Sequence, residues 1–231
     1  MYEGVHAHPD GQATVARLAR TAAEYGYDGV VVRNHGDAQT DYDAEAIGAE
    51  YDIDVVSGIE IRTDDAGQAS GLIGNYRSKR DVVCVHGGSL NRFAVEQSKV
   101  DVLAHPMREG DVNHVLAKAA AENGVHMEFN FGRVFRADGG PRVQAIQGLR
   151  KLRELVEQYD VPYVVTAEPY SHLQLRGPRE LLAVGETVGF DRDAIETGLA
   201  AWSGIVEENR ERQSETFIEP GVRIDEHEED A

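Results

Sequence analysis

Residues 28–35 read Asp-Gly-Val-Val-Val-Arg-Asn-His, a short apolar run that leads into polar side chains able to bind metal or phosphate. Three consecutive valines are typical of a parallel strand that is buried on both faces. Six further runs repeat this form along the chain, and a polar residue lies in or directly after each of them. In chain order, the seven runs and their polar residues are Tyr2 onward with His6 and His8, Gly29 to Arg33 with Asn34 and His35, Val55 to Ile61 with Glu60, Val82 to Val85 with His86, Val102 to Ala104 with His105, His126 to Asn130 with Glu128, and Val164 to Ala167 with Glu168.

Segments with helical periodicity separate these runs. Val15, Leu18 and Ala22 share one face of a helix that we expect to begin with Asp10 as N-cap and to end before Gly26. Further helices are predicted from Asp41 to about Tyr51, over Leu72 to Ser78, Leu90 to Ser98 and Val112 to Glu122, in a longer segment ending at Tyr159, and over Pro178 to Val188 and Asp191 to Arg212.

Regular alternation of strand and helix predicts an α/β fold built from parallel βα units. We expect a single distorted, TIM-like (β/α) barrel of about seven parallel strands over residues 1–218. The carboxyl ends of such strands share one rim, and the polar residues of the seven runs should converge there.

The chain of 231 residues has a formal net charge of −18, and its positive charge is nearly all arginine. This composition predicts surroundings of very high salt, in which the Debye length is only about 3 Å at 1 M and repulsion among surface carboxylates is weak. The acidic composition then indicates a saline habitat rather than binding to a basic partner. An ordinary acidic cytosolic enzyme is the alternative explanation.

The cysteine content and the two ends of the chain favour a cytoplasmic protein. Cys84 is the single cysteine, so no internal disulfide can form, and its place in an apolar run predicts a buried side chain. No apolar stretch approaches the roughly 20 residues of a membrane helix, and residues 1–11 lack the features of a signal peptide. Residues 219–231 are rich in Asp and Glu, and we expect a disordered tail there.

Five of the nine histidines fall at predicted strand ends. His6 and His8 alternate along one strand, so both imidazoles could address a single cation, and neutral imidazole suits Zn²⁺, Mn²⁺ or iron. One such histidine alone is more often a structural hydrogen-bonding group. Together with two carboxylates, the candidate metal ligands are His6, His8, His35, Glu60, His86, His105 and Glu168.

This constellation resembles the PHP phosphoesterase family, whose fold is a distorted barrel of seven strands with a polynuclear metal site. Residues of this chain match the family's ligand positions on successive strands, namely His6, His8, His35, Glu60, His86 and His105. Asn34 stands where those enzymes usually have Asp, and Glu168-Pro169-Tyr170 stands where they have Asp-x-His. The resemblance therefore implies a PHP-like barrel with a partial metal site.

A closer resemblance covers almost the whole chain and is to the archaeal family of ribonuclease P protein component 3, the counterpart of the eukaryotic thirty-kilodalton RNase P/MRP subunit. The stretches that carry it are Asp28 to Arg33, Gly58 to Ile61, Asp81 to Gly88, Asn91 to Glu96, Val100 to Pro106, Leu175 to Leu181 and Val188 to Phe190. Its most specific parts are the Asn-Arg-x-Ala and Val-Asp-x-Leu-x-His-Pro pair and the Leu-Arg-x-Pro stretch.

The resemblance implies a protein subunit of RNase P, the ribonucleoprotein that removes the 5′ leader from precursor tRNA. It implies that the RNA performs the hydrolysis with bound Mg²⁺, and that no side chain of this chain need be catalytic. The implied partners are RNase P RNA, component 2, the other small RNase P proteins and precursor tRNA. Two alternatives stay open: a metal-dependent PHP-type phosphoesterase, and a barrel that keeps one structural metal and serves only as an interaction module.

Arginine is the side chain best suited to hold RNA, because its guanidinium group can make two parallel hydrogen bonds to phosphate. The candidates near the predicted rim are Arg33, Arg62, Arg92, Arg108, Arg133, Arg136 and Arg176. For any one of them, a salt bridge to a carboxylate is the commoner explanation. High salt weakens phosphate contacts steeply, so we expect the isolated protein to bind RNA poorly and component 2 well.

Overall fold

The computed structural model describes residues 1–214, 217–219 and 222–223, and its centre is a nearly closed barrel of seven parallel strands. The strands follow one another in chain order, and each pairs in parallel with the next. Their bounds are β1 Tyr2–Val5, β2 Gly29–Val32, β3 Asp54–Ile61, β4 Val82–His86, β5 Val102–Ala104, β6 His126–Asn130 and β7 Tyr163–Thr166. The predicted α/β barrel is thereby confirmed.

A helix follows every strand. Their bounds are α1 Val15–Glu24, α2 Ala44–Tyr51, α3 Ala66–Tyr76, α4 Asn91–Val95, α5 His114–Asn123, α6 Gly132–Arg136, α7 Gly139–Tyr159, α8 Pro178–Val188 and α9 Arg192–Gln213, with a short 3₁₀ helix at His172–Gln174.

Two helix starts differ from the sequence-based expectation. Thr14, not Asp10, is the N-cap of α1, because its hydroxyl accepts a hydrogen bond from the Arg17 amide at 3.3 Å. Helix α3 begins at Ala66 rather than at Leu72, because the Asp65 carboxylate caps it through the Gln68 amide at 2.7 Å. Three glycines in α3 lower its intrinsic helix propensity and hid its first turns from sequence reasoning.

The strands bury apolar side chains on both faces. Val30 and Val32 pack outward into the large core between strands and helices. Val31 and Cys84 point the other way, into a second apolar cluster inside the barrel. This arrangement explains the unbroken valine runs, and it confirms that Cys84 is buried.

The barrel is joined at a seam between its first and last strands by side chains. Among the strands that the structure describes, no backbone ladder joins β7 to β1. Instead the carboxylate of Glu3, on β1, accepts hydrogen bonds from the Thr166 hydroxyl and from the Ala167 amide at 3.1 Å. The Trp202 indole donates to the Val165 carbonyl at 3.0 Å and so ties α9 to the same seam.

Helix α9 also covers the amino-terminal end of the barrel. The Asn209 side chain donates to the Asp81 carbonyl and the Asp101 carboxylate, at 2.8 and 3.0 Å. Arg210 makes a two-armed contact with Asp54, at 2.7 and 3.0 Å. These acidic residues precede or begin three adjacent strands, so α9 closes this end and leaves the carboxyl ends of the strands as the open mouth.

The end of the chain is described only in part. A short antiparallel pair, β8 Phe217–Glu219 and β9 Val222–Arg223, crosses the domain boundary that we placed at residue 218, so three residues assigned to the tail lie in strands. The rest of the predicted tail, residues 220–221 and 224–231, lies outside the described residues. None of the described helices has the length and apolarity needed to cross a membrane.

Candidate functional site

The rim at the carboxyl ends of the strands gathers the predicted side chains into one buried cluster, which we call the rim cluster. Every strand except β6 contributes a predicted metal ligand at or just beyond its end. The members that the structure brings together are His6, Asp10, Arg33, His35, Glu60, His86, His105, Glu128 and Glu168. The expected convergence is confirmed for Glu60, Glu168 and four of the five predicted imidazoles.

Glu60 is the centre of the cluster and is fully buried. Its Oε1 lies 2.5 Å from His86 Nδ1, 3.4 Å from His35 Nε2 and 3.6 Å from His105 Nε2. Its Oε2 lies 3.6 Å from His6 Nε2. Burial favours the neutral acid, but the Arg33 charge and the histidine hydrogen bonds outweigh it and hold the pKa of Glu60 well below its usual range.

A second centre is Glu168, on the loop after β7. Its Oε1 lies 2.6 Å from His105 Nε2 and 3.4 Å from His6 Nε2, and its Oε2 accepts a hydrogen bond from Asn130 at 2.9 Å. Both Glu168 and His105 have positive φ angles, 48° and 52°. Residues other than glycine rarely adopt this conformation, at a cost of about 1–3 kcal/mol. The two left-handed residues turn the chain at the strand ends and bring a carboxylate and an imidazole together.

Asp10 belongs to the cluster, and sequence reasoning missed it. Its Oδ2 lies 2.7 Å from His6 Nδ1 and 2.8 Å from His35 Nδ1, and it accepts the His35 backbone amide at 3.0 Å. Burial opposes ionisation, yet hydrogen bonds from His35 and His6 hold the pKa of Asp10 below its usual range. The one available signal was its place four residues after His6, which we had assigned to a helix cap.

The Asp10 loop offers a test of packing. A Cβ at Gly11 would collide with the carbonyl oxygen of His6 and lie 2.8 Å from that of Tyr170. We expect Gly11→Ala to lower the free energy of unfolding by about 1–3 kcal/mol, because both neighbours are backbone atoms. The control is Gly71→Ala in α3, where nothing lies within 4 Å and a gain of about 0.5–1 kcal/mol is expected. Equal urea midpoints for the two variants would contradict this packing.

His8 does not reach the cluster. Strand β1 ends at Val5, so the alternation of side chains that we extended from His6 to His8 no longer holds there. The His8 side chain is exposed, and it is absent from the groups of potential ligands found among the described residues. The structure thus corrects the prediction for His8.

The two departures from the PHP pattern have structural roles. Asn34 holds the loop after β1, because its side chain exchanges hydrogen bonds with the Ala7 amide at 2.8 Å and the Ala7 carbonyl at 2.7 Å. Tyr170 stacks on the His6 ring, with ring centroids 4.3 Å apart and planes inclined by 2°. Both side chains support the cluster from its edge.

Arg33 lies inside the barrel and is not an RNA contact, which corrects a second prediction. Its side chain is 0% exposed. Nη1 lies 2.6 Å from Glu128 Oε1, and Nη2 lies 3.5 Å from Glu168 Oε1. The guanidinium carbon stands 5.7 Å from the centre of the Trp202 ring. Arg33 therefore supplies a fixed positive charge to the rim carboxylates.

The other predicted arginines lie at or near the surface. Arg62 and Arg92 have side chains 51% and 81% exposed and lie near Asp37 and Glu96, respectively. Arg176 has its guanidinium carbon 5.5 Å from the centre of the Phe135 ring. Arg108, Arg133 and Arg136 line a cleft of about 350 Å³ beside the cluster, whose walls include Leu149, Leu152 and Tyr170. Phe131, which we considered for base contacts, is fully buried.

The side chains of the rim cluster are of the types that bind divalent cations. His6 Nε2, His35 Nε2 and Glu60 Oε2 are buried atoms without a hydrogen-bond partner. Imidazole and carboxylate are ligands that Zn²⁺ and Mn²⁺ accept. Three overlapping groups have potential ligand atoms within 4.8 Å of one another: His6, Asp10 and His35; His35, Glu60 and His86; and His6, Glu60 and Glu168.

Protons on the histidines can also balance the negative charge of the carboxylates in this cluster. Burial would lower the pKa of His35, but the hydrogen bond to Asp10 and the nearby Glu60 carboxylate overcome it and raise the pKa to about 9. Burial likewise opposes the protonation of His105, but the charges of Glu168 and Glu128 raise its pKa to about 9. Metal binding requires neutral imidazole, so a cation has to displace these protons.

These pKa shifts predict a definite dependence of stability on pH. A histidine with a raised pKa stabilises the fold fully below its ordinary value of 6.5, and this contribution is lost as the pH rises through about 9. Glu60 and Glu168, whose pKa values are lowered, stabilise the fold above 4.5 and lose this contribution as the pH falls. With chelator present, we expect maximal stability between about pH 4.5 and pH 6.5, and a loss on the order of 3 kcal/mol for each of the two histidines by about pH 10.

Urea unfolding at a series of pH values checks this dependence. The double variant with His35→Gln and His105→Gln should lose most of the decline on the alkaline side. Stability of the natural chain that stays flat between about pH 6.5 and pH 9 would show that the two imidazoles are already neutral in the folded state over this range.

Comparison with known proteins matches one protein family over almost the whole chain. The family described as RNase P subunit p30 matches residues 1–214. A relative from Natronomonas pharaonis, named ribonuclease P protein component 3, is 80% identical over 97% of this chain and 95% of its own length.

Two solved structures share the fold. A chain in the cryo-EM structure of archaeal ribonuclease P with mature tRNA superposes with a TM-score of 0.83 at 22% identity, covering 99% of both chains. Histidinol phosphate phosphatase from Lactococcus lactis, complexed with zinc, L-histidinol and phosphate, superposes with a TM-score of 0.57 at 12% identity, covering 82% of this chain and 94% of its own. These likenesses concern the barrel alone. The match over residues 1–214 and the identity to the Natronomonas protein show that this chain belongs to the RNase P subunit p30 family.

Proposed function

We propose that this protein is a non-catalytic subunit of ribonuclease P, which cleaves the 5′ leader from precursor tRNA in the cytoplasm. The observation that carries the proposal is the family match over residues 1–214. In this proposal the hydrolysis belongs to the RNA component and its bound Mg²⁺, and the barrel supports that RNA.

Arg33 supports the proposal of a non-catalytic barrel. Its guanidinium group lies within 4 Å of Glu60, Glu128 and Glu168. A hydrolase with two metals needs such carboxylates as ligands for the second ion. Here a permanent organic cation is already paired with them, and a guanidinium group cannot activate water as a metal does. The phosphoesterase alternative is not favoured.

We propose RNase P RNA, component 2, the other small RNase P proteins and precursor tRNA as the partners. A chain of net charge −18 cannot attract RNA by its overall charge. Local arginine contacts are therefore the proposed RNA-binding elements. The candidates are Arg62, Arg92, Arg108, Arg133, Arg136 and Arg176.

Reconstitution in molar KCl tests the function. Adding the full chain to RNase P RNA and the other small proteins should increase leader removal, and the chain alone should neither cleave precursor tRNA nor bind it tightly. No stimulation by the chain would sink the proposal. Turnover of a phosphomonoester by the chain alone with Mn²⁺, abolished by His35→Ala, would establish the phosphoesterase instead.

We also propose that the rim cluster takes up one Zn²⁺ or Mn²⁺ ion, held by residues from the set His6, Asp10, His35, Glu60 and His86. The unpartnered buried atoms of His6, His35 and Glu60 support it. Elemental analysis after equilibration with Zn²⁺ should find about one ion per chain. His35→Ala should remove it, and His8→Ala, at an exposed side chain outside the cluster, should not. Two ions per chain, or none, would refute this stoichiometry.

A further inference from the structure

Two of the four exposed large apolar side chains within residues 1–214 lie around one groove. Tyr25, just after α1, is 46% exposed, and Leu173, on the 3₁₀ helix, is 76% exposed. The other two, Val115 and Val143, lie on α5 and α7. Isolated exposed apolar residues are ordinary, but a pair that lines one groove is typical of a contact site.

Tyr25 borders two concavities. The first, of about 530 Å³, is lined by residues that include Arg17, Tyr51 and Leu173. The second, of about 430 Å³, lies at the start of α8 and is lined by residues that include Pro178 and Arg179. We call this surface the α1–α8 face and define it by Arg17, Tyr25, Leu173, Pro178 and Arg179.

The α1–α8 face carries two arginines without ionic partners. Arg17 and Arg179 are both exposed, and within residues 1–214 no carboxylate lies within 4.0 Å of either guanidinium group. Their neighbours differ, because Arg20 lies 2.9 Å from Glu24 and Arg176 lies 3.6 Å from Glu180. On a surface so rich in carboxylates, two unpaired arginines on one face leave local positive charge for a partner.

The backbone that presents these side chains is held in place. The Tyr27 hydroxyl donates to the Arg176 carbonyl at 2.8 Å, which ties the loop after the 3₁₀ helix to the start of β2. The Ser171 hydroxyl accepts from the Leu173 amide at 3.3 Å, and Glu180 accepts from the Gly177 amide at 2.9 Å. A surface ordered before binding loses less conformational entropy on association.

We propose that the α1–α8 face docks an acidic protein partner within the RNase P particle. Leu173 and Tyr25 enter an apolar pocket of that partner, and Arg17 and Arg179 pair with carboxylates at its edge. Tyr and Arg are the residues that most often dominate binding energy at protein interfaces. This proposal rests on the proposed function and adds the surface and the chemistry of its partner.

A protein fits this face better than RNA does. Leu173, the most exposed apolar residue, is aliphatic and offers no aromatic ring on which a base could stack. Strong salt also weakens phosphate contacts, whereas salting-out ions strengthen apolar burial. Carboxylates on a protein surface complement the two free arginines without requiring a polyanion.

Binding experiments with the full chain in molar KCl test the proposal. One variant carries Tyr25→Ser with Leu173→Ser, and a second carries Arg17→Glu with Arg179→Glu. The matched control carries Val115→Ser with Val143→Ser, at side chains 56% and 53% exposed elsewhere. Each is measured against the other purified small RNase P proteins of the same organism, one at a time, and against RNase P RNA alone.

We expect both face variants to bind one of these proteins about tenfold or more weakly, with RNA binding and the unfolding midpoint unchanged and the control within about twofold. Unchanged affinity for every protein, or a loss confined to RNA, would overturn the proposal. Leader removal measured with the natural chain in the same preparation distinguishes a failure of the docking surface from a failure of the proposed function. If the natural chain stimulates leader removal but the face variants bind normally, the proposed function stands and the docking surface is refuted.

Discussion

Replacing Arg33 by Met is expected to lower the free energy of unfolding by about 3–5 kcal/mol, which is the usual cost of removing one partner from a buried ion pair. The side chain is fully buried and lies 2.6 Å from Glu128. Without the guanidinium group, Glu60, Glu128 and Glu168 would repel one another in a site shielded from water. Urea unfolding of the natural chain and the variant, in molar KCl at one pH, measures the loss.

Two further variants separate charge from packing at this site. Arg62→Met removes a guanidinium group that is 51% exposed and 3.6 Å from Asp37, and it should change stability by less than about 1 kcal/mol. Adding Glu128→Gln to Arg33→Met removes one of the uncompensated charges and should restore part of the loss. If Arg33→Met and Arg62→Met were equally stable, the buried charge balance described above would be incorrect.

Replacing Trp202 by Ala is the second large expected effect, a loss of about 3–5 kcal/mol. Trp202 is fully buried and joins the apolar cluster inside the barrel, next to Val31 and Cys84. Its removal would leave a cavity beneath Arg33 and would also break the hydrogen bond to the Val165 carbonyl. Thermal unfolding and urea unfolding should both show the loss.

The control for Trp202 is Trp202→Phe, which keeps an aromatic ring and loses the indole donor. Its expected cost is smaller, because less volume is lost and the unpaired Val165 carbonyl accounts for about 1–3 kcal/mol. If Trp202→Ala cost no more than Trp202→Phe, the apolar core of the barrel would not depend on α9.

The balance of charge explains why so many histidines persist at a rim that lacks a complete set of metal ligands. Asp10, Glu60, Glu128 and Glu168 face Arg33 and the imidazoles within one cluster. His35 and His105, whose pKa values rise to about 9, act there as cations. A metal ion bound as proposed would have to displace these protons.

Sequence reasoning succeeded where a residue's local pattern determines its environment. The runs Val30-Val31-Val32 and Val82-Val83 predicted buried parallel strands, because only strands covered on both faces tolerate consecutive apolar residues. Position at a strand end then placed Glu60 and His86 at one rim, since parallel strands of a barrel present their carboxyl ends together.

Sequence reasoning failed where the decisive partner is distant along the chain. Arg33 was expected at the surface because arginine usually is, but its partners Glu128 and Glu168 follow it by about a hundred residues or more. Asp10, which was expected to cap a helix, joins the cluster and His8 does not, because β1 ends at Val5 and the loop after it turns Asp10 toward His35.

The amino-acid sequence alone therefore determined the barrel, the rim and the family, because periodicity and strand-end position are local properties that survive without knowledge of contacts. Only the tertiary structure decided which polar groups share the buried cluster, which arginine is an internal cation, and that within residues 1–214 no carboxylate pairs with Arg17 or Arg179. Burial and charge pairing depend on distances between strands and helices far apart along the chain, and no local pattern encodes those distances.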